Sequence, residues 1–299
     1  AVRGKGGALN VSESRVQRPV IDAWVEAAAS LGYKRNDDYN GEDQEGVGHF
    51  QMTMRNGRRC SSATAFLKPA RGRSNLQIFT GAKTLGLVME GRRAAGIRVR
   101  RGNEEIEVRA RREVVLSAGS LGSPHILMLS GIGAGAELSA HGIEVVHDLA
   151  GVGKNLQDHL QLRCAWRLTG AKTLNKLSAS LLGKAKIGFE YALFRSGPMS
   201  MSPSQLGAFA KSRPDLETPD LQYHVQPLSL DAFGEPLHNF PALAARVCNQ
   251  RPESRGSVQI TSPDPHAAPR IAPNYLSTEG DRRIAAAAIR QARAIMAQS

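Results

Sequence analysis

The sequence predicts a mixed α/β fold in which a buried parallel sheet lies beside a small antiparallel sheet. Residues 114–116 are continuously apolar and run into a helix near Pro124, which is typical of a parallel strand covered on both faces. Residues 95–109 alternate apolar and charged side chains, as strands with one solvated face do. In the second half of the chain, prolines separate short strands such as 221–225 and 257–260.

Helix signals lie near both ends of the chain. Pro19 is followed by apolar residues at helical spacing, which predicts a helix that Gly32 ends. A short helix is expected over 61–67, and Pro69 is expected to end it. A last helix is expected after Thr278, with Asp281 placed for a capping box.

The antiparallel part is predicted to be a hairpin. Strands over 95–101 and 105–109 are expected to pair across the turn Gly102-Asn103. Another turn is expected at Glu90-Gly91, after the apolar run 85–89.

The composition is that of a globular chain. Of the 299 residues, 41% are hydrophobic and 22% are charged, which excludes a disordered or fibrous protein. Cys60, Cys164 and Cys248 are too widely spaced for a disulfide framework or a metal site, which indicates a reducing compartment. No secretory signal is recognised at the start, so we expect a cytoplasmic protein. No resident metal is expected, because the cysteines lack the spacing of metal ligands.

The net charge of +12 is concentrated in one stretch. Residues 50–112 hold fifteen of the 39 Lys and Arg residues but only four of the 27 acidic residues. We favour an arginine-rich, solvated face of the small sheet as the explanation. An anionic partner or a cofactor phosphate is an alternative, whereas nucleic acid is not expected, because no stacking aromatic residues interleave with the arginines.

The segment Ser117-Ala118-Gly119-Ser120-Leu121-Gly122 has three interpretations. Small residues after a buried strand let a bulky ligand approach the backbone, and the following helix start favours an anion. The same residues resemble a degenerate nucleophile elbow, with Ser120 as the nucleophile of an α/β hydrolase. Such a hydrolase would need Asp220 with His224, or Asp231 with His238. Tight packing without a ligand is the third interpretation.

Two further motifs are expected to be structural. Residues 131–136 fit a relaxed dinucleotide-binding pattern, but they follow a helix where that motif requires a strand, so a helix C-terminal turn is favoured. Asp158 and His159 are adjacent and therefore point in different directions, which does not favour a catalytic pair.

Several ordered blocks together resemble the glucose–methanol–choline (GMC) oxidoreductases, most strongly the choline-dehydrogenase-like branch. The longest block runs from Gly119 to Gly133 and resembles the second family signature. The others are Asn40-Gly41, Gln44 to Gly48, Gly57-Arg58-Arg59, Phe66 to Ala70, Gly151 to His159, Leu221 to His224, Arg255-Gly256 and Asn274-Tyr275-Leu276.

The resemblance implies an α/β and α+β fold: part of a doubly wound FAD-binding domain with a β-meander, and a substrate domain with an antiparallel sheet and helices. It divides the chain into a segment bridging the two domains (1–61), a partial FAD-binding domain (62–155) and a C-terminally truncated substrate-binding domain (156–299). The G-x-G-x-x-G loop of the family is not found, and its catalytic His is expected beyond Ser299. We therefore expect an internal piece of a longer enzyme.

The resemblance also implies an activity: oxidation of a choline-like or other primary alcohol to an aldehyde, by hydride transfer to flavin N5. Four residues are implied near the cofactor (Thr84, Ser117, Ala118 and Gly119), and three on the substrate side (Tyr223, His224 and Gln226). The implied partners are a small alcohol and the rest of the polypeptide, with oxygen or a membrane quinone as acceptor. The chain alone is expected to be inactive and to retain no FAD. A non-catalytic basic binding module is the alternative, beside the hydrolase.

Overall fold

The computed structural model describes residues 4–232 and 234–298, which divide into two compact units. The first unit comprises the described residues of 1–76, 159–251 and 282–299, and the second comprises 77–158 and 252–281. The sequence-based division differs, since it assigned 252–281 to the substrate domain. The roles of the two units stay a prediction.

Seven α-helices and fourteen strands are formed by the described residues. The helices are α1 Pro19–Ser30, α2 Lys68–Ala70, α3 Gly119–Leu129, α4 Gly135–Ala140, α5 Leu174–Leu177, α6 Leu181–Phe194 and α7 Glu279–Met296, with a π-helix at Ala63–Leu67 and a 3-10 helix at Pro198–Ser200. The strands are β1 Gly46–His49, β2 Met54–Arg55, β3 Arg58–Arg59, β4 Ala82–Glu90, β5 Arg93–Arg101, β6 Glu104–Arg109, β7 Ile132–Gly133, β8 His147–Asp148, β9 Gln161–Arg167, β10 Leu206–Ala210, β11 Leu221–Gln226, β12 Ala242–Asn249, β13 Ser257–Gln259 and β14 Arg270–Ala272.

The first unit is built on a five-stranded antiparallel sheet in the order β1-β10-β11-β12-β9. Side chains alternate between the two faces of such a sheet. One face is apolar and packs against α1 and the later part of α7. Its core contains Ile21 and Trp24 from α1, Tyr223 and Val247 from the sheet, and Ala292 from α7.

The second unit contains the antiparallel meander β4-β5-β6. The predicted hairpin is confirmed, with β5 and β6 joined at Gly102-Asn103. Three of the four arginines of β5 lie opposite acids of β6, and Arg100 bonds Glu105 at 2.5 Å, so the arginine-rich solvated face is confirmed as well. Helix α3 is bonded to this sheet, because Ser130 Oγ accepts the Leu87 amide at 2.8 Å.

The predicted helices are also present. α1 begins at Pro19 and α7 at Glu279. One half of the predicted capping box is present, since the Asp281 amide donates to Thr278 Oγ1 at 3.1 Å, while the Asp281 carboxylate also accepts the Ser254 amide at 2.8 Å. The short helix expected over 61–67 is observed as the π-helix at Ala63–Leu67, which continues into α2.

The expected parallel strand at 114–116 is wrong. Residues 110–118 form neither helix nor strand, and Val115 is 74% exposed. A parallel strand forms only when a neighbour satisfies its backbone hydrogen bonds. Among the described residues no strand pairs with this segment, and the parallel pairing that is present joins β7 to β8. The mixed α/β class is nevertheless confirmed, with antiparallel sheets and helices.

None of the helices in 4–232 and 234–298 combines the length and the apolar character needed to cross a membrane.

Candidate cofactor and substrate sites

The second face of the five-stranded sheet is polar, although much of it is buried. One row of residues crosses four strands in register, where Gly207 pairs with His224, His224 with Arg246, and Arg246 with Arg163. Arg246 is only 6% exposed. This face is the candidate substrate side of the first unit.

Gly207 makes room for an aromatic ring on this face. A Cβ added at Gly207 would lie 2.3 Å from two ring carbons of Phe50. The Phe50 ring therefore lies directly over the strand, and its centroid is 5.3 Å from that of the His224 ring. The glycine thus sets how closely Phe50 approaches His224.

A cavity of about 650 Å³ opens beside Phe50 and His224 within the first unit. Its volume is within the range of small-molecule sites. Its wall is formed by methionines, small polar residues and the ring of Tyr191. Arg59 is its one permanently charged lining residue, and none of its lining residues is acidic.

Two buried glutamines lie next to the cavity wall. Gln226 Nε2 donates to Ser204 Oγ at 2.9 Å, and Gln205 Nε2 lies 2.8 Å from Met201 Sδ. Ser204 and Met201 both line the cavity. Among the described residues, the Oε1 atoms of Gln205 and Gln226 are buried without a hydrogen-bond partner. Buried acceptors of this kind are costly unless a ligand or water donates to them.

His224 is held as a neutral imidazole. Burial lowers its pKa, and the positive charges of Arg246 and His159 lower it further. Burial, followed by the charge of Arg163, also lowers the pKa of Arg246. The positive groups on this face therefore make it unfavourable for another cation.

The structure separates Tyr223 from the two other residues predicted on the substrate side. His224 and Gln226 share the polar face, whereas Tyr223 is fully buried in the apolar core. The Tyr223 Oη lies 3.2 Å from both Ala288 O and Gln291 Oε1 of α7. Burial raises the pKa of this phenol far above its usual value. Tyr223 and His224 are consecutive residues of β11, so their side chains point to opposite faces of the sheet. Tyr223 therefore does not belong to the candidate site.

The pairs proposed for a hydrolase are engaged elsewhere. Asp231 Oδ1 does lie 3.1 Å from His238 Nε2, but His238 Nδ1 is 2.7 Å from Ser229 Oγ, and Ser229 is only 1% exposed. Asp220 binds the amide and hydroxyl of Ser212. In the part of the chain that the structure describes, both His238 nitrogens thus have partners other than Ser120. Ser229 itself cannot replace Ser120 as the nucleophile, because it is too buried to reach a substrate.

The second unit carries the predicted cofactor residues. Ser117, Ala118 and Gly119 are exposed at the start of α3, where Ala118 is the N-cap and no side chain caps the helix. Gly119 has a φ of +81°, and a Cβ added there would meet nothing within 4 Å. The first turn of α3 contains no acidic residue. Bare backbone at a helix start suits a nucleotide phosphate.

Thr84 lies in the same unit as α3. The pairing of β4 with β5 is irregular between Thr84 and Gly86, where a β-bulge interrupts the ladder. His125 of α3 is a neutral residue, because burial, followed by the charge of Lys83, lowers its pKa. An open turn and a nearby lysine fit a flavin nucleotide, so the residues present are compatible with FAD.

The motifs expected to be structural remain so. α3 ends at Leu129, and Gly131 has a φ of +79°, as is usual just after a helix. The segment 131–136 therefore starts with a helix C-terminal turn. Asp158 accepts the hydroxyl of Tyr275, whereas His159 Nε2 lies 3.1 Å from Gln250 O. The two neighbours thus bind different partners. No group of three or more His, Cys, Asp or Glu residues suited to a metal ion is found in the described ranges.

Sequence reasoning missed Gln205, Phe50 and Arg246. Gln205 carries a usable signal, because it immediately precedes the buried strand β10 and a fully buried glutamine requires a partner. Arg246 interrupts the apolar strand β12, which is a second signal. Phe50 has no such signal, since its position depends on the pairing of Gly207 across the sheet.

These features define a mixed α/β and α+β chain, with a nucleotide-compatible turn in one unit and a substrate-sized cavity in the other. The N-terminal GMC oxidoreductase family model matches residues 2–161, and the C-terminal GMC oxidoreductase model matches 252–299. The chain belongs to the GMC oxidoreductase family. The members of this family are FAD-binding flavoproteins.

Curated relatives and solved structures agree with this family. The chain is 42% identical over 280 residues to an oxygen-dependent choline dehydrogenase of Brucella anthropi, covering 93% of this chain and 50% of the relative. It is 38% identical to an alcohol dehydrogenase [acceptor] of Pseudomonas putida, covering 98% of this chain and 53% of the relative. The chain therefore spans about half the length of the curated relatives it matches.

Two solved structures have the same fold over nearly the whole chain. Pyridoxine 4-oxidase from Mesorbium loti has a TM-score of 0.83 at 29% identity, covering 99% of this chain and 55% of that one. An FAD-dependent oxidoreductase from Chaetomium thermophilum has a TM-score of 0.86 at 22% identity, covering 99% and 57%.

Proposed function

We propose that the whole protein oxidises an uncharged primary alcohol to its aldehyde with FAD as cofactor. Bound FAD supplies the hydride acceptor, flavin N5. The observation that carries the substrate assignment is the polar face of the first unit. It combines a cavity of suitable size with hydrogen-bond acceptors and with no acidic lining residue.

The residues at the start of α3 hold the cofactor in this proposal. Ser117, Ala118 and Gly119 present backbone rather than bulky side chains, so a flavin nucleotide meets the main chain directly. Thr84 lies at the β4 bulge, where its backbone is assigned to the adenine end. This chain by itself is proposed to retain no FAD.

The substrate hydroxyl is oriented by neutral groups. His224 lines the cavity, and its neutral ring offers a hydrogen-bonding nitrogen to the hydroxyl. Gln226 and Gln205 lie behind the wall and position Ser204 and Met201, which line the cavity. The base that takes the hydroxyl proton is proposed to be a His beyond Ser299. This chain accordingly binds and orients the alcohol rather than deprotonating it.

An uncharged alcohol is favoured over a choline-like one for an electrostatic reason. A quaternary ammonium group needs carboxylates or an aromatic cage to replace its hydration. The cavity wall contains no carboxylate, and its two phenyl-type rings, Phe50 and Tyr191, share it with the cation Arg59 rather than forming a closed cage. Arg246 lies beside His224 on the same face. Two unit charges about 6 Å apart repel by about 3 kcal/mol at an effective dielectric constant of 20, but Arg59 is exposed and water screens it, so a difference of about 1 kcal/mol is expected.

The electron acceptor and the location are part of the same proposal. We assign the electrons to oxygen or a membrane quinone, and the protein to the cytoplasm. The three cysteines are free, which fits a reducing compartment.

The test compares choline with its uncharged isostere 3,3-dimethylbutan-1-ol in the whole, FAD-loaded protein. We expect kcat/KM to favour the uncharged alcohol by roughly fivefold, which corresponds to the screened repulsion of about 1 kcal/mol estimated above. Equal or better turnover of choline would contradict the assigned substrate class. Turnover of neither alcohol, with no flavin absorption in the purified whole protein, would contradict the flavoenzyme itself.

A further inference from the structure

Helix α6 carries an exposed apolar stripe. Leu181, Leu182, Phe189 and Leu193 are 86%, 85%, 65% and 59% exposed. At 100° per residue these four side chains fall within one third of the helix circumference, and the exposed alanines Ala185 and Ala192 lie between them. We call these six residues the α6 stripe. Soluble proteins rarely expose clustered leucine and phenylalanine side chains, and where they do, the cluster often marks a docking surface.

The charges around the α6 stripe have one sign. Residues 168–200 contain five basic residues and a single acid, Glu190. The acid does not face outward: Ser196 donates to Glu190 Oε1 at 3.1 Å, and a Cβ added at Gly197 would lie 2.5 Å from its carboxylate. Within residues 168–200, therefore, the outward charges are positive: Lys172, Lys176, Lys184, Lys186 and Arg195.

We propose that the α6 stripe docks on an anionic membrane surface, with α6 lying in the plane of the interface. An apolar face bordered by lysines and free of outward acids matches the chemistry of anionic lipid headgroups over acyl chains. A second copy of this chain would bring the same positive charges together, and the charge pattern therefore disfavours self-association. The docking does not depend on the proposed activity.

The test measures co-sedimentation of the whole FAD-loaded protein with two kinds of vesicle. One kind is phosphatidylcholine alone, and the other contains phosphatidylcholine and phosphatidylglycerol in equal parts. We expect binding to the anionic vesicles that weakens with salt, and each lysine changed to glutamine should weaken it about fivefold. Absence of binding to the anionic vesicles would overturn the proposal.

A triple variant tests the stripe itself. Leu182→Gln, Phe189→Gln and Leu193→Gln together should weaken vesicle binding roughly tenfold or more, because their burial in the interface is lost. The matched control is Val11→Gln, Leu31→Gln and Ile271→Gln, three exposed apolar residues elsewhere (50%, 42% and 46% exposed), which should bind as the unchanged protein does. Equal binding by both triple variants would contradict the role of α6.

A gentler variant covers the case in which the triple change destabilises the protein. Phe189→Trp keeps the stripe apolar and places an indole on it. Quenching of this indole by lipids brominated in their acyl chains is expected. The readout is the fluorescence added to that of Trp24 and Trp166 in the unchanged protein. If this added signal were blue-shifted and not quenched, another part of the whole protein or a second copy would cover α6, and this outcome would overturn membrane docking.

Discussion

Removing the Tyr223 hydroxyl separates a core role from a substrate role for this residue. In Tyr223→Phe the ring keeps its place beside Trp24, whose centroid is 6.0 Å away. The single hydroxyl proton is shared between Ala288 O and Gln291 Oε1, each at 3.2 Å. Ala288 lies within α7 and keeps a helical partner, and so the change leaves mainly Gln291 Oε1 unsatisfied.

The expected cost is therefore about one buried hydrogen bond, or about 1–2 kcal/mol. At about 2.1 cal/mol/K per residue, a protein about twice the length of this chain has an unfolding entropy of about 1.2 kcal/mol/K, so this loss lowers Tm by about 1–2 °C. The assay is thermal unfolding of the whole FAD-loaded protein, together with kcat and KM for the alcohol. We expect a lower Tm with kcat and KM nearly unchanged.

The neighbouring residue provides the matched control, because it lies on the opposite face of β11. His224→Gln should raise KM or lower kcat, since it changes the polar face beside the cavity, while Tm changes little. If Tyr223→Phe lowered kcat/KM tenfold at an unchanged Tm, the placement of Tyr223 in the core would be refuted.

Two further predictions concern His224 and Gly119. Burial lowers the folded-state pKa of His224, so as the pH falls below 6.5 the unfolded chain binds a proton before the folded one, and stability is lost. His224→Gln should therefore flatten the fall in Tm below pH 6.5. An unchanged slope would contradict the neutral imidazole. Gly119→Ala should lower the flavin-to-protein absorbance ratio of the whole protein. The control is Gly102→Ala, which should not lower it, because Gly102 also has a positive φ and open space around an added Cβ. Equal flavin loss in both variants would point to backbone strain alone.

Locally determined features were predictable from the sequence. The cap of α7 needs only Thr278 and Asp281, and the β5–β6 hairpin needs only Gly102-Asn103 between alternating strands. In both, the interacting groups are a few residues apart. The energetic preference is therefore present in the sequence before any tertiary contact forms.

Features that depend on a distant partner were not predictable in the same way. Residues 114–116 have the apolar character of a buried strand, yet Val115 is 74% exposed, because a strand also requires a neighbour to accept its hydrogen bonds. Tyr223 and His224 are adjacent in sequence, and which one faces the core depends on β11 pairing with β10 and β12. A one-residue change in that register would exchange their environments.

Helix α6 connects the cavity with the exposed stripe. Tyr191 lines the cavity, whereas Phe189, two residues earlier, lies on the stripe, as expected for positions about 200° apart on a helix. Met199, which is 57% exposed, also lines the cavity and extends it toward the solvent on this side. An uncharged alcohol dissolves in a bilayer, whereas a quaternary ammonium alcohol pays the full cost of desolvating its charge there. The two proposals are therefore consistent with each other, because an acid-free cavity and an apolar stripe would both favour an uncharged alcohol that partitions into an interface.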